Sequence, residues 1–99
     1  MTAIEMIAEK VRTNVEHKGY TAEHDDAHNK GELCAAATCY LDRGWLQIQQ
    51  KQPREEPSKP PFIWPFESAS WKPSDDPIRN LVHACALIVA EIGRLQRAK

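Results

Sequence analysis

The apolar pattern of residues 77 to 97, "PIRNLVHACALIVAEIGRLQR", constrains the fold more than any other part of this chain. Asp75 and Asp76 come before Pro77, an order typical of a helix that begins with a capping side chain and a first-turn proline. Apolar side chains then recur every three or four residues, at Ile78, Leu81, Cys85, Ile88, Ile92 and Leu95. The pattern predicts a helix of roughly 20 residues, or about 30 Å. We expect its stripe to be covered either by other helices of the chain or by a second copy, in a homodimer through residues 77–97.

Two further helices are indicated upstream. Thr2 and Glu5 form the sequence pattern of a capping box, and Gly19 is a natural terminator, so the first helix is predicted over residues 3 to 18. The alanine-rich stretch "GELCAAATCYLDRG" predicts a second helix over about residues 29 to 43, ended by Gly44.

The segment between the second and third helices is unusual. Residues 45 to 76 hold six of the seven prolines and all three tryptophans. Residues 46 to 61 are polar and broken by proline, which predicts an extended or flexible insertion. The stretch "FIWPFESASWKP" is aromatic, and we expect it to lie across the helices as a wall of the core or of a pocket. The prediction is one all-α domain over residues 1–99: three helices with a long proline- and aromatic-rich connection between the second and the third.

Charge and composition exclude several classes of partner. The chain has 13 basic and 14 acidic residues, whereas phosphate-driven nucleic-acid binding needs a concentrated positive surface. No apolar run approaches the 18 or so residues of a membrane helix, and the charged first residues predict no signal peptide. The three cysteines form no Cys-x-x-Cys pair and suit a reducing compartment. We therefore predict a cytoplasmic protein that binds neither nucleic acid nor a membrane.

The stretch "YTAEHDDAHNKGEL", residues 20 to 33, is the main candidate site and is called the acidic stretch below. On a helix, His24 and His28 would lie on one face at the spacing of two-histidine zinc sites, with Asp25 and Glu32 as further ligands. A third ligand is not evident nearby, and zinc needs three or four ligands. Two alternatives stay open: the stretch caps the next helix through Thr21, Asp25 or Asp26, or it is a loop that recognises a small ligand.

Two enzyme chemistries are alternatives for this part of the chain. All-helical, magnesium-dependent nucleotide pyrophosphohydrolases hold their ions with carboxylates from two helices, and Asp25, Asp26 and Glu32 would supply half of such a site. The E-x-x-E pairing of those enzymes is missing, because Ala35 stands at the matching position after Glu32. A nucleophilic cysteine is less favoured still, since alanines surround Cys34.

The aromatic stretch is the second candidate feature. Trp64, Phe66 and Trp71 have flat faces that would stack on a base, and Lys72 and Arg79 flank them as partners for phosphate or ribose. The alternative is that these rings only fill the core, and one ring packing inward is compatible with its neighbour lining a cleft.

Two resemblances bear on these residues. "GYTAEHDDAHNKGELCAAATCYL", "WPFESASWKP" and "RNLVHACALIVAEIGRLQR" resemble a family of short phage- and prophage-encoded proteins without an established activity. That resemblance implies a phage origin and a role in the host cell, with residues 46–61 as a variable insertion. "AEKVRTNVEHKGYTAEHDDAH" followed by "RNLVHACALIVAEIGRL" is similar in order to the ryanodine-receptor repeat. This second resemblance implies a binding module for adenine nucleotides or related signals, and the positions that match are Gly19, Tyr20, Asp25, Asp26, His28 and Arg79.

The sequence thus predicts a phage-encoded, non-catalytic binding protein for a nucleotide-like small molecule, in the cytoplasm of the host, where it sequesters a defence signal. No catalytic residue, cofactor or metal is predicted. The alternatives are a metal-dependent nucleotide pyrophosphohydrolase and a surface-acting inhibitor of a host protein. The predicted ligand-binding residues are Tyr20, His24, Asp25, Asp26, His28, Glu32, Trp64, Trp71, Lys72 and Arg79.

Overall fold

The computed structural model describes residues 1–51 and 59–98 and folds them into α-helices without a strand. The helices are α1 (Ala3–Lys18), α2 (Ala22–Asp26), α3 (Glu32–Ile48) and α4 (Pro77–Arg97), with one 3₁₀ turn at Ser68–Ser70. The all-α class is therefore confirmed for the described residues. The helix count is four rather than the predicted three, because part of the acidic stretch folds into the short helix α2.

The ends of α1 follow the local signals in the sequence. The Glu5 backbone N–H donates to the Thr2 hydroxyl at 3.1 Å, and the Thr2 N–H donates to the Glu5 carboxylate at 2.9 Å, which completes the capping box. Gly19 ends the helix with a φ of +70°, a conformation that glycine adopts without a steric penalty. The turn that follows brings the Tyr20 N–H to the Asn14 carbonyl at 2.9 Å.

The prediction for the second helix is wrong at both ends. The helix α3 begins at Glu32, since Gly31 precedes it with a φ of +83°. It also continues past Gly44 to Ile48, because Gly44 serves packing and not termination. A Cβ at Gly44 would lie 3.0 Å from Leu81 Cδ2, so the missing side chain lets α3 and α4 approach closely.

The contact between α3 and α4 forms most of the core, with the two helices running antiparallel. Its buried line on α4 is Asn80, Ala84, Leu87 and Glu91, and alanines of α3 face it. The long apolar stripe, predicted to be covered by other helices or by a second copy, lies about a quarter turn away from this line. The described helices cover it only in part: Leu81 packs at Gly44 of α3, whereas Ile88 and Ile92 remain 42% and 51% exposed.

A buried polar network fixes the segment that precedes α4. Asn80 is 1% exposed. Its amide donates to Gln47 at 2.8 Å and to the Ser74 carbonyl at 2.9 Å, while its carbonyl accepts from the Ser74 N–H at 2.9 Å. Because buried polar groups are stable only when paired, this network holds the end of the connection against α3 and α4.

The aromatic connection, residues 62–73, has four large rings, and three of them pack at the core. Trp71 is buried, and Trp64 and Phe66 pack against the same core cluster. Phe62 is the exception at 96% exposure. Of the predicted insertion at 46–61, the first three residues belong to α3, and residues 52–58 lie outside the described part of the chain. Among the described helices, none has the length and apolarity to cross a membrane.

Candidate functional site

A cavity of about 640 Å³ lies between α1, α3, α4 and the aromatic connection, with the acidic stretch along one side. We call it the central cavity. Most of its wall is apolar, with Val11, Leu33 and Leu87 among the lining side chains, and the exposed residues Lys18 and Lys72 border it. Small-molecule pockets are typically concave, mostly apolar and about 300–1,000 Å³ in volume, with a few polar groups that converge on the ligand. The central cavity has the size and lining of such a pocket.

One side of the cavity is a row of four rings. Tyr20 stacks on His24 with ring centres 4.5 Å apart, and His24 meets the edge of His28 at 4.8 Å. His28 then meets Phe66 at 5.1 Å, which joins the acidic stretch to the aromatic connection. The row exists because α2 carries His24, and the turn after α2, in which the His28 N–H donates to the Asp25 carbonyl at 3.0 Å, brings His28 beside it. Its rings offer both flat faces and polar edges to a bound molecule.

The acidic residues of this stretch point in different directions. Thr21 caps α2 by accepting from the His24 N–H at 3.4 Å. Asp25 is buried, borders the cavity and lies 3.1 Å from Nδ1 of His24. Asp26 instead faces outward, where Arg97 of α4 donates to it at 2.9 Å. None of the three residues predicted as caps of the second helix caps α3, whose N-cap is Gly31; Thr21 caps the short helix α2 instead. Only one of the two aspartates, Asp25, borders the cavity.

Glu32 lies beside the cavity lining but is not part of it. Its carboxylate accepts from the Lys30 N–H at 2.6 Å and lies 3.5 Å from Nδ1 of His28. Backbone N–H donation lowers the pKa of Glu32 and keeps it ionised. Glu32 therefore orients His28 rather than meeting the cavity contents.

A second group of rings forms the floor. Tyr40 is 1% exposed and stacks on His83 with ring centres 3.8 Å apart. Trp64 meets the edge of Tyr40 at 5.7 Å, and the Lys72 backbone N–H donates to the Tyr40 hydroxyl at 3.3 Å. Burial raises the pKa of Tyr40, so its hydroxyl stays protonated. Trp71 packs behind this floor, 4.7 Å from Tyr40, and belongs to the core rather than to the lining.

The face of α1 that borders the cavity carries two polar residues, Asn14 and Lys18, between and beside two valines. Asn14 is 7% exposed, and its side-chain oxygen has no hydrogen-bond partner among the residues that the structure describes. Burial, followed by the charges of Lys10 and Lys18, lowers the pKa of His83 to about 3, so this imidazole is neutral at neutral pH. Burial and the neighbouring Lys18 charge lower the pKa of Lys10 to about 8.

The structure thus brings together six of the ten predicted ligand residues. Those that border the cavity are Tyr20, His24, Asp25, His28, Trp64 and Lys72. Asp26, Glu32, Trp71 and Arg79 lie outside the lining. Sequence reasoning missed Asn14, Lys18, Tyr40 and His83. The signal that would have found Asn14 is a polar side chain between Val11 and Val15 on the apolar face of α1.

The described residues offer little support for a metal site or for a reactive cysteine. Across residues 1–51 and 59–98, no three His, Cys, Asp or Glu side chains are grouped so as to hold a metal ion. The Cys34 thiol contacts Glu91 at 3.7 Å, and burial raises its pKa. Burial likewise raises the pKa of Cys39 to about 11, which favours the unreactive thiol over the thiolate.

No family model, curated protein or solved structure matches this chain. Inference about function therefore rests on the geometry above and on the resemblances of the sequence.

Proposed function

We propose that this chain is a non-catalytic binding protein for a nucleotide-like small molecule held in the central cavity. The observation that carries the proposal is the side-chain oxygen of Asn14, which is buried without a partner in an aromatic-lined cavity of about 640 Å³. An unpaired buried acceptor costs roughly 1–3 kcal/mol. A ligand N–H donor in the cavity would satisfy it.

The rings suit a flat heteroaromatic ligand. A base that enters between Tyr20, His28 and Trp64 would find aromatic faces and edges on several sides. Base–aromatic stacking contributes about 1–3 kcal/mol per base in proteins that bind single-stranded nucleic acid. The Asp25 carboxylate is placed to accept from an exocyclic amine or a ribose hydroxyl.

The wider biological role is part of the same proposal and is supported only by resemblance. The likeness to short phage and prophage proteins suggests that the ligand is a signal of the infected host, sequestered in its cytoplasm. The likeness to the ryanodine-receptor repeat suggests adenine nucleotides as the first ligands to try.

A ligand screen tests the proposal. Thermal unfolding is measured with nucleosides, nucleoside monophosphates, nucleoside triphosphates and cyclic dinucleotides, with and without Mg²⁺. We expect at least one class to raise the melting temperature, since a ligand that binds only the folded state stabilises it. A flat result across the panel would overturn the proposal and favour the surface-acting inhibitor. Chromatography of the same samples checks for turnover, and hydrolysis of a bound nucleotide would favour the pyrophosphohydrolase.

A matched pair of variants links any shift to the cavity. His28→Ala removes a ring of the lining, whereas His17→Ala removes an exposed histidine of α1. Ligand stabilisation should fall for His28→Ala and stay unchanged for His17→Ala. Equal shifts in both variants would place the ligand elsewhere.

A further inference from the structure

The charges on α1 lie at one side of the central cavity. Lys10, Asn14 and Lys18 follow each other at intervals of four residues, so they share one face of the helix. Lys18 and Asn14 border the cavity, and both lysines act electrostatically on His83 in its wall. Lys10 lies outside the lining, one helical turn from Asn14 on the same face, and its charge reaches His83.

The two lysines have each other as a charged neighbour and no described counterion. None of the ion pairs formed within residues 1–51 and 59–98 includes Lys10 or Lys18. Like charges held together are unfavourable, and partial burial adds to the effect at Lys10. An anion between them would remove both penalties, and the neutral His83 beside them adds no competing charge.

We propose that Lys10 and Lys18 bind the phosphate of the ligand, with Asn14 contacting the part of the ligand next to it. The inference rests on the proposed function, since it places the ligand in the central cavity. It assigns the phosphate to α1 rather than to Lys72 or Arg79. The ligand class is thereby narrowed to planar molecules that carry an anionic group.

The experiment compares each nucleoside with its own monophosphate. Calorimetric titration with adenosine, guanosine, cytidine, uridine and their 5′-monophosphates gives an affinity ratio that isolates the phosphate. In the wild type we expect the monophosphate to bind about tenfold or more tightly, as charge-assisted hydrogen bonds do. Lys10→Met and Lys18→Met should each bring this ratio close to one. Lys51→Met, at an exposed lysine after α3, is the control and should keep the wild-type ratio.

Two failures are distinguishable. If no nucleoside or nucleotide binds, the proposed function fails. If both bind but the ratio is near one in the wild type, or unchanged in the two lysine variants, the assignment of the phosphate to α1 is overturned while the cavity remains a ligand site.

A different observation concerns the opposite side of the molecule. Seven large apolar side chains of α3 and α4 are between 42% and 60% exposed: Leu41, Trp45, Ile48, Ile78, Ile88, Ile92 and Leu95. We call them the apolar face. They point away from the central cavity: none of them is among its lining residues, and on each helix they lie a sixth of a turn or more from the residues that line it. The contact of Gly44 with Leu81 joins the two helices along this face.

The extent of this face matches what a dimer buries. Seven large side chains that are each about half exposed present on the order of 600 Å² of apolar surface. A typical monomer has a largest apolar patch of about 300–600 Å², and a stable interface removes about 800 Å² from each partner. An interface made of the apolar face and a rim of polar residues around it would bury about 800 Å² on each partner.

The dipole of α4 favours a second copy in antiparallel orientation. The two arginines of its last turn, Arg94 and Arg97, are already paired within the chain, with Glu91 and Asp26. A two-fold axis that pairs α4 with its copy sets the two helix dipoles in opposition. We infer that the apolar face binds a second copy of this chain, with the two α4 helices antiparallel.

Light scattering coupled to size-exclusion chromatography tests the association. The wild type should elute with the mass of a dimer, and a variant with Ile88→Glu and Ile92→Glu should elute as a folded monomer. Ile4→Glu, at a residue 80% exposed on α1, should remain dimeric. A monomeric wild type, or a dimer that survives both glutamates, would overturn the inference.

Cross-linking tests the orientation. A tagged chain with Ile78→Cys is mixed with an untagged chain with Leu95→Cys and oxidised, with wild-type chains as the background control. An antiparallel pair gives disulfides between unlike chains. Cross-links only between like chains would contradict the antiparallel arrangement.

Discussion

The burial of His83 predicts a specific loss of stability in mild acid. Its folded-state pKa of about 3 lies well below the ordinary histidine value of 6.5, because burial and then the charges of Lys10 and Lys18 oppose protonation. Between these values the unfolded chain binds a proton at His83 that the folded chain does not bind. The stabilising contribution is therefore complete above about pH 6.5 and is lost as the pH falls towards 3. At pH 5 the loss attributable to His83 is about 2 kcal/mol.

Urea unfolding followed by circular dichroism at pH 7 and pH 5 measures this loss. The variant His83→Gln lacks the titrating imidazole. Between pH 7 and pH 5, the free energy of unfolding of the wild type should therefore decrease by about 2 kcal/mol more than that of the variant. The cavity carboxylates Asp25 and Glu67 are present in both proteins, so their contributions cancel in the comparison. His17→Gln, at an exposed histidine, should behave as the wild type. Equal decreases in the free energy of unfolding of the wild type and of His83→Gln would refute the claim that burial lowers the pKa of His83.

Three further predictions follow from packing and hydrogen bonding, each measured by urea unfolding. Asn80→Ala should cost roughly 2–4 kcal/mol, because it leaves buried groups of its network unpaired; a loss below 1 kcal/mol would contradict that. Gly44→Val should lower the free energy of unfolding by about 1–3 kcal/mol, since the valine side chain would clash with Leu81. Gly93→Ala should raise it by up to about 1 kcal/mol, because the new methyl group would meet only the flexible end of the Arg97 side chain. Asn14→Leu should stabilise the free protein by about 1 kcal/mol yet weaken nucleotide binding at least tenfold, as calorimetry would report; tight binding by this variant would argue that Asn14 does not meet the ligand.

The local signals of the sequence were sufficient for the ends of α1 and α4. A capping box, a terminal glycine and a proline in the first turn act within a few residues, so they can be recognised without the fold. Gly44 shows the limit of such signals. The role of Gly44 depends on its contact with Leu81, which is distant in sequence. In the local sequence, a glycine that permits helix packing cannot be distinguished from one that ends a helix.

The helix α4 shows a second limit. Hydrophobic periodicity located the helix and its apolar stripe, but it does not tell which partner covers the stripe. In the structure the small and polar side chains of Asn80, Ala84 and Glu91 face α3, and Ile88 and Ile92 are left half exposed. The apolar stripe is the feature that best identifies α4 in the sequence, yet the described residues leave much of that stripe exposed.

The candidate site was predictable where it is local. Tyr20, His24 and His28 lie within nine residues, and a short helix is enough to align them. Asn14 and His83 are 69 positions apart, and only the packing of α1 on α4 brings both to the cavity. No pattern within one helix could have paired them.

The central claim is that the cavity binds a planar, anionic small molecule, and an NMR titration tests it most directly. In a ¹H–¹⁵N spectrum, the side-chain amide of Asn14 and the indole N–H of Trp64 report on the cavity, while the indole N–H of Trp45 reports on the apolar face. When the tightest-binding nucleoside monophosphate is added, we predict saturable shifts of the Asn14 and Trp64 signals and an unchanged Trp45 signal. Shifts confined to Trp45, or none at the two cavity signals at saturating ligand, would contradict the account.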